Sequence, residues 1–88
     1  MKQIQTKINS DSHGLHARPA SAFVRIAATY PCEISVIRDD ITVNGKSILG
    51  LMMLALGPGA EFSIVADGEL EEEALDHLIK LIQNNFVI

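Results

Sequence analysis

Polar and apolar residues alternate along residues 2–9, with Ile4, Thr6 and Ile8 on one side, which is the period of a half-buried strand. Asn9-Ser10-Asp11-Ser12-His13-Gly14 then supplies turn chemistry. From Pro19 the period becomes helical: Ala20, Phe23, Val24 and Ala27 share one face of a segment predicted to run to about Thr29. Pro19 suits the first turn, where its missing N–H has no partner to lose. Tyr30-Pro31 stops the helix. Glu33-Ile34-Ser35-Val36-Ile37-Arg38 reads as a strand, Asp39-Asp40 as a tight turn and Ile41-Thr42-Val43 as its hairpin partner. Asn44-Gly45 breaks that strand, and Ser47 is placed to cap a short helix reaching about Leu54. Gly57-Pro58-Gly59 is a loop, and Ala60–Ala66 alternates again as a last strand closing at Asp67-Gly68. A final helix over about 70–84 opens on Glu69, Glu71, Glu72 and Glu73, which complement its dipole, and carries Leu75, Leu78, Ile79 and Ile82 on one face.

The resulting order is βαββαβα, an α+β pattern. Four short alternating strands predict an antiparallel sheet with one face covered by helices and the other wet. No composition shift or linker divides the chain, so its 88 residues are expected to form one small domain, 1–88, around a single core. The net charge of −4 argues against nucleic acid as a ligand, because phosphate-backbone binding needs clustered Lys and Arg. No apolar run approaches the ~20 residues that span a membrane, and the N-terminus lacks an apolar signal core. Cys32 is alone, which excludes an intramolecular disulfide and makes a reducing cytoplasm the simplest location.

The chemistry concentrates in Gly14-Leu15-His16-Ala17-Arg18-Pro19-Ala20. His16 falls just before or at a helix start, where unpaired backbone N–H groups and the positive end of the dipole favour phosphate and other anions. A nucleophilic imidazole, a guanidinium two residues on and an anion-friendly helix end together suit a phosphoryl-accepting site. Metal binding by Asp11, His13 and His16, with His77, is the rival reading, but no helical pair of histidines and no cysteine cluster supports it.

These residues, 14–20, resemble the active-site motif of HPr, the histidine-containing phosphocarrier family of the bacterial phosphoenolpyruvate-dependent sugar phosphotransferase system. Gly45-Lys46-Ser47-Ile48-Leu49-Gly50-Leu51-Met52-Met53-Leu54 resembles the family's second signature, around its regulatory serine. The separation of the motifs, the length and the element order fit as well, so the resemblance covers essentially the whole chain. It implies an open-faced β-sandwich with three helices on one side of a four-stranded sheet.

The resemblance further implies that His16 accepts a phosphoryl group from enzyme I and hands it to sugar-specific enzyme II A domains, with Arg18 holding the phosphoryl oxygens. Such a protein is a carrier rather than an enzyme, a cytoplasmic monomer needing neither cofactor nor metal. Ser47 then becomes the site modified by an HPr kinase/phosphorylase, and the modified form the ligand of a catabolite-control transcription factor. Ile48, Leu49 and Met52 match the family's docking patch, while Leu51 and Leu54 are expected in the core. Two departures stand out. His13 occupies a place where the family has a small hydroxyl residue or a variable one, and the tail Asn84-Asn85-Phe86-Val87-Ile88 is unusually apolar and receives no role.

Three other readings compete with a sugar-transport relay. A nitrogen-related paralogue would run the same relay for regulation. A regulatory binding module would act through Ser47, although catabolite-repression paralogues lack the active histidine that His16 supplies here. An enzyme using His16 as general base would need a second catalytic group, and none is evident beyond Arg18.

Overall fold

The computed structural model describes residues 1–87. Strand β1 (Lys2–Lys7) leads to helix α1 (Ala17–Ala27), the hairpin β2 (Glu33–Arg38) and β3 (Ile41–Asn44), helix α2 (Ile48–Met53), strand β4 (Glu61–Asp67) and helix α3 (Glu71–Gln83). The strands form one sheet in the order β1-β4-β2-β3, with every pairing antiparallel. Period-2 alternation sends Ile34, Val36, Phe62, Ile64 and Ala66 to one face, where they are buried. Phe23 and Ala20 of α1, Leu51 of α2, and Leu75, Leu78 and Ile82 of α3 close over them. The helices therefore cover one side of an open-faced sandwich, as the pattern predicted.

The chain departs from the sequence reading at element ends. Strand β1 stops at Lys7, not residue 9, because Ile8 leaves the ladder: its N–H bonds Ala60 O (2.9 Å) and its carbonyl accepts from Gly59 N–H (2.9 Å). Ile8 is fully buried by this move, whereas Ile4, on an edge strand, stays 36% exposed. Helix α1 begins at Ala17 and ends at Ala27, so Pro19 is the third helical residue. That position tolerates proline as well, since its N–H would also lack an intrahelical partner. Beyond Ala27 the backbone loosens into turns, with Thr29 O–H donating to Ile26 O (2.7 Å) before Pro31. Val24 and Ile79, expected in the core, pack on it half-buried.

Two polar side chains that no local pattern singles out tie the elements together. Arg38 Nη1 donates to Leu54 O (2.9 Å) and Ala55 O (2.8 Å), placing a cation on the carbonyls that end α2. Asn9 Nδ2 reaches Ile82 O (3.3 Å), Gln83 O (3.2 Å) and Asn85 Oδ1 (2.7 Å), which fastens the loop after β1 to the end of α3.

The start of α3 is electrostatic. Leu70 stands at its N-cap in a left-handed conformation (φ 65°) with no side-chain cap. Glu71 instead turns back, accepting from Gly68 N–H (3.0 Å), and lies 3.1 Å from the Met1 ammonium. The Gly68 bond first, and the Met1 ammonium after it, hold the Glu71 carboxyl below its ordinary value. A group depressed in this way contributes stability above the ordinary carboxylate range and loses it as pH falls through the folded-state value. Acidification below about pH 4 should therefore lower the melting temperature, and Glu71→Gln should flatten that part of the profile. Thermal melts of both forms across the acid range check this; parallel profiles would contradict it.

Candidate functional site

Gly14 turns the chain into α1. Its φ of 86° lies in the left-handed region, and a Cβ there would sit 2.9 Å from Leu56 O and 3.1 Å from Gly57 Cα. Three hydrogen bonds hold the loop around it: Ser12 N–H to Asn9 O (3.0 Å), Gly14 N–H to Ser12 Oγ (3.2 Å) and Leu15 N–H to Leu56 O (2.7 Å). Leu15 is buried, and so is Ala20 one turn into the helix. The backbone at His16 is thus anchored on both sides while the residue itself is exposed.

His16 is the N-cap of α1, with extended backbone (φ −95°, ψ −164°) and no side-chain cap bond, so its ring is not spent on the helix. Its carbonyl accepts the first helical bond, from Ala20 N–H at 2.9 Å. Pro19 has no N–H, which leaves the amides of Ala17 and Arg18 as the donors of the first turn. Arg18 is exposed, and none of the ion pairs among the described residues involves it. Imidazole and guanidinium open onto one shallow hollow of about 440 Å³. Two other stretches of chain line it: the Asp11–Gly14 turn with Pro19, and Asn85, Phe86 and Val87.

That second stretch was not foreseen, because the tail had no assigned role. Asn85 and Phe86 both adopt positive φ (55° and 65°), which swings Phe86 back under the helices, where it is 7% exposed. The apolar composition of the tail was the available signal, and the Asn9 bond to Asn85 is its anchor. Ile88 lies outside the described residues. Asp11, His13 and His16 share the hollow, but His77 is on α3 with Nδ1 2.9 Å from the Tyr30 hydroxyl, so the four groups of the metal reading do not come together. Among the described residues no group of three or more His, Cys, Asp or Glu side chains is arranged to hold a metal ion.

Ser47 caps α2, with Oγ accepting from Gly50 N–H at 3.0 Å. Replacing it with Ala should cost about 1 kcal/mol, visible as a lower urea midpoint at unchanged slope. Because α2 has only one buried residue, Leu51, its other side chains face outward. Ile48 (39% exposed), Leu49 (75%) and Met52 (41%) form an apolar surface as expected, joined by Met53 (77%), which the sequence reading had not placed there. Helix α2 packs on α1, so this surface lies alongside the helix that His16 caps.

A family model described as the phosphorylation site of the PTS HPr component matches residues 3–84. Over 74 residues the chain is 49% identical to the phosphocarrier protein HPr of Pseudomonas aeruginosa, covering 83% of this chain and 82% of that one. The HPr-like protein Crh of Halalkalibacterium halodurans is 42% identical over 82 residues, 93% of this chain and 94% of its own. The fold matches a crystal structure of HPr-C-His from Thermoanaerobacter tengcongensis with a TM-score of 0.92 at 41% identity, over 98% of this chain and 96% of that one.

Proposed function

The chain belongs to the HPr family of the phosphotransferase system, and from that membership we propose that it carries a phosphoryl group on His16 between enzyme I and enzyme II A domains. One observation supports this above the others: the N-cap imidazole is exposed, bound to no cap, and shares its hollow with Arg18. In the first transfer a lone pair of the neutral His16 imidazole attacks phosphorus, the new N–P bond forms, and enzyme I keeps the electron pair of the bond that breaks; in the second a nucleophile of the enzyme II A domain attacks the same phosphorus and His16 keeps the electron pair of the N–P bond. Arg18 meets the phosphoryl oxygens with paired N–H donors, and the Ala17 and Arg18 amides lie at the same end of the helix. A single guanidinium at an open surface holds the group without trapping it, which suits a relay that must release its cargo.

Ser47 is the regulatory position in this reading, acted on by an HPr kinase/phosphorylase, with a catabolite-control transcription factor as the partner of the modified form. Its hydroxyl already stands at a helix N-cap, where a phosphate keeps favourable amide and dipole contacts and leaves the helix folded. The added charge changes the surface beside Ile48, Leu49 and Met52, the face we assign to partner docking. Adaptable exposed apolar side chains suit a protein that meets several partners in turn.

The molecule acts as a single-domain cytoplasmic monomer over residues 1–88, and as a carrier rather than an enzyme. Among the described residues no helix is long and apolar enough to cross a membrane. Likeness to Crh favours a second, purely regulatory role through Ser47, but the motif around His16 weighs toward carriage. Incubation with phosphoenolpyruvate and enzyme I tests the proposal: the expected product is an acid-labile adduct of about 80 Da on the chain. No adduct would sink it. Comparing labelling by the sugar-system enzyme I and by its nitrogen-related paralogue separates a transport relay from a regulatory one.

A further inference from the structure

We propose that the protonated imidazole of His13 is a second cationic ligand of the phosphoryl group on His16, an inference that rests on the phosphocarrier reading. His13 is exposed and lies on the turn that walls the hollow shared by His16 and Arg18. Its backbone is held from both sides by the Ser12 N–H bond to Asn9 O and the Gly14 N–H bond to Ser12 Oγ, and Gly14 is immobilised against Leu56. No hydrogen bond or ion pair among the described residues engages its ring. The position is well fixed and the side chain is unoccupied.

Charge accounting gives it work. A phosphoryl group on imidazole brings about −1.5 to −2 charges into the hollow. Arg18 offers a single positive charge, Pro19 removes one helix donor, and the Ala20 N–H is taken by the His16 carbonyl. Asp11, the carboxylate on the same wall, opposes a phosphoryl dianion. Among the described residues the titratable or charged groups that line the hollow with His13 are Asp11, His16 and Arg18, while Asn85, Phe86 and Val87 contribute uncharged side chains. An imidazolium at residue 13 offsets Asp11 and adds an N–H donor on the side of the phosphoryl group away from the helix. Imidazole also differs from a second arginine in being removable by pH: it binds the group when protonated and lets go when neutral. Binding of the proton by His13 and residence of the phosphoryl group on His16 then reinforce each other, because such linkage is reciprocal.

The test uses the full chain, phosphorylated on histidine with phosphoramidate as a small-molecule donor so that no protein partner is required. Imidazole C–H resonances are followed by NMR against pH before and after phosphorylation, with the His13 signal identified by its loss in His13→Gln. The expected result is an upward move of the His13 titration midpoint by about one pH unit or more on phosphorylation, with His77, on the far helix against Tyr30, unmoved. A His13 midpoint that moves no further than that of His77, in a chain shown by its 31P signal to carry the group on His16, overturns the His13 role alone. Failure of His16 to take the phosphoryl group overturns both readings.

Discussion

Replacing His16 with Ala should abolish phosphoryl incorporation: with phosphoenolpyruvate and enzyme I, the variant should show no acid-labile gain of about 80 Da. This is the largest effect expected from any single substitution, because on the proposed reading it removes the ring nitrogen that forms the bond to phosphorus. It is also easily separated from unfolding. The residue is exposed, its ring makes no cap bond, and what it contributes to α1 is a backbone carbonyl that alanine retains. A surface change of that kind should alter stability by no more than about 0.5 kcal/mol. Normal urea unfolding with no label is the expected pair of results. Unchanged labelling of the variant would move the acceptor elsewhere and end the assignment of Arg18 as its ligand.

Gly14→Ala should produce the largest loss of stability near the site, about 2–3 kcal/mol, with a parallel fall in phosphoryl acceptance. Two independent costs combine. At φ 86° an L-residue is strained, and the added Cβ has a backbone carbonyl, Leu56 O, at 2.9 Å. That oxygen, like Gly57 Cα at 3.1 Å, is backbone and not the end of a flexible side chain, so the loop has to shift. The Leu15 N–H bond to that same carbonyl (2.7 Å) shifts with it, and His16 is the next residue. Urea unfolding measures the first effect and the rate of labelling by enzyme I the second. A variant of wild-type stability would show that the loop relaxes freely, and the rigid presentation of His16 would have to be abandoned.

The same region marks the limit of what could be read in advance. The motif itself was legible because its logic is local: Gly14 reverses the chain, His16 precedes a helical period, and Arg18 is two residues on. The outward face of α2 was legible too, since a six-residue helix cannot bury Ile48, Leu49, Leu51, Met52 and Met53 together. The start of α1 just after His16 was legible, but its end falls at Ala27 rather than about Thr29, because Thr29 N–H turns to Ile26 O instead of continuing the helical ladder. The end of β1 was misplaced because Ile8 satisfies its backbone against Gly59 and Ala60, partners about fifty residues away that alternation cannot see.

Periodicity and turn chemistry alone thus determined the order βαββαβα, the antiparallel sheet with one covered face, and a histidine held at a helix start. These follow from interactions between near neighbours, which every residue carries wherever the chain goes. The contribution of Asn85, Phe86 and Val87 to the hollow of His13, His16 and Arg18, the Asn9 clamp on the end of α3 and the Arg38 cap on α2 were decided only by the tertiary structure. Each depends on bringing together side chains and carbonyls from elements whose relative placement is set by the packing of the whole core. No local period encodes that placement.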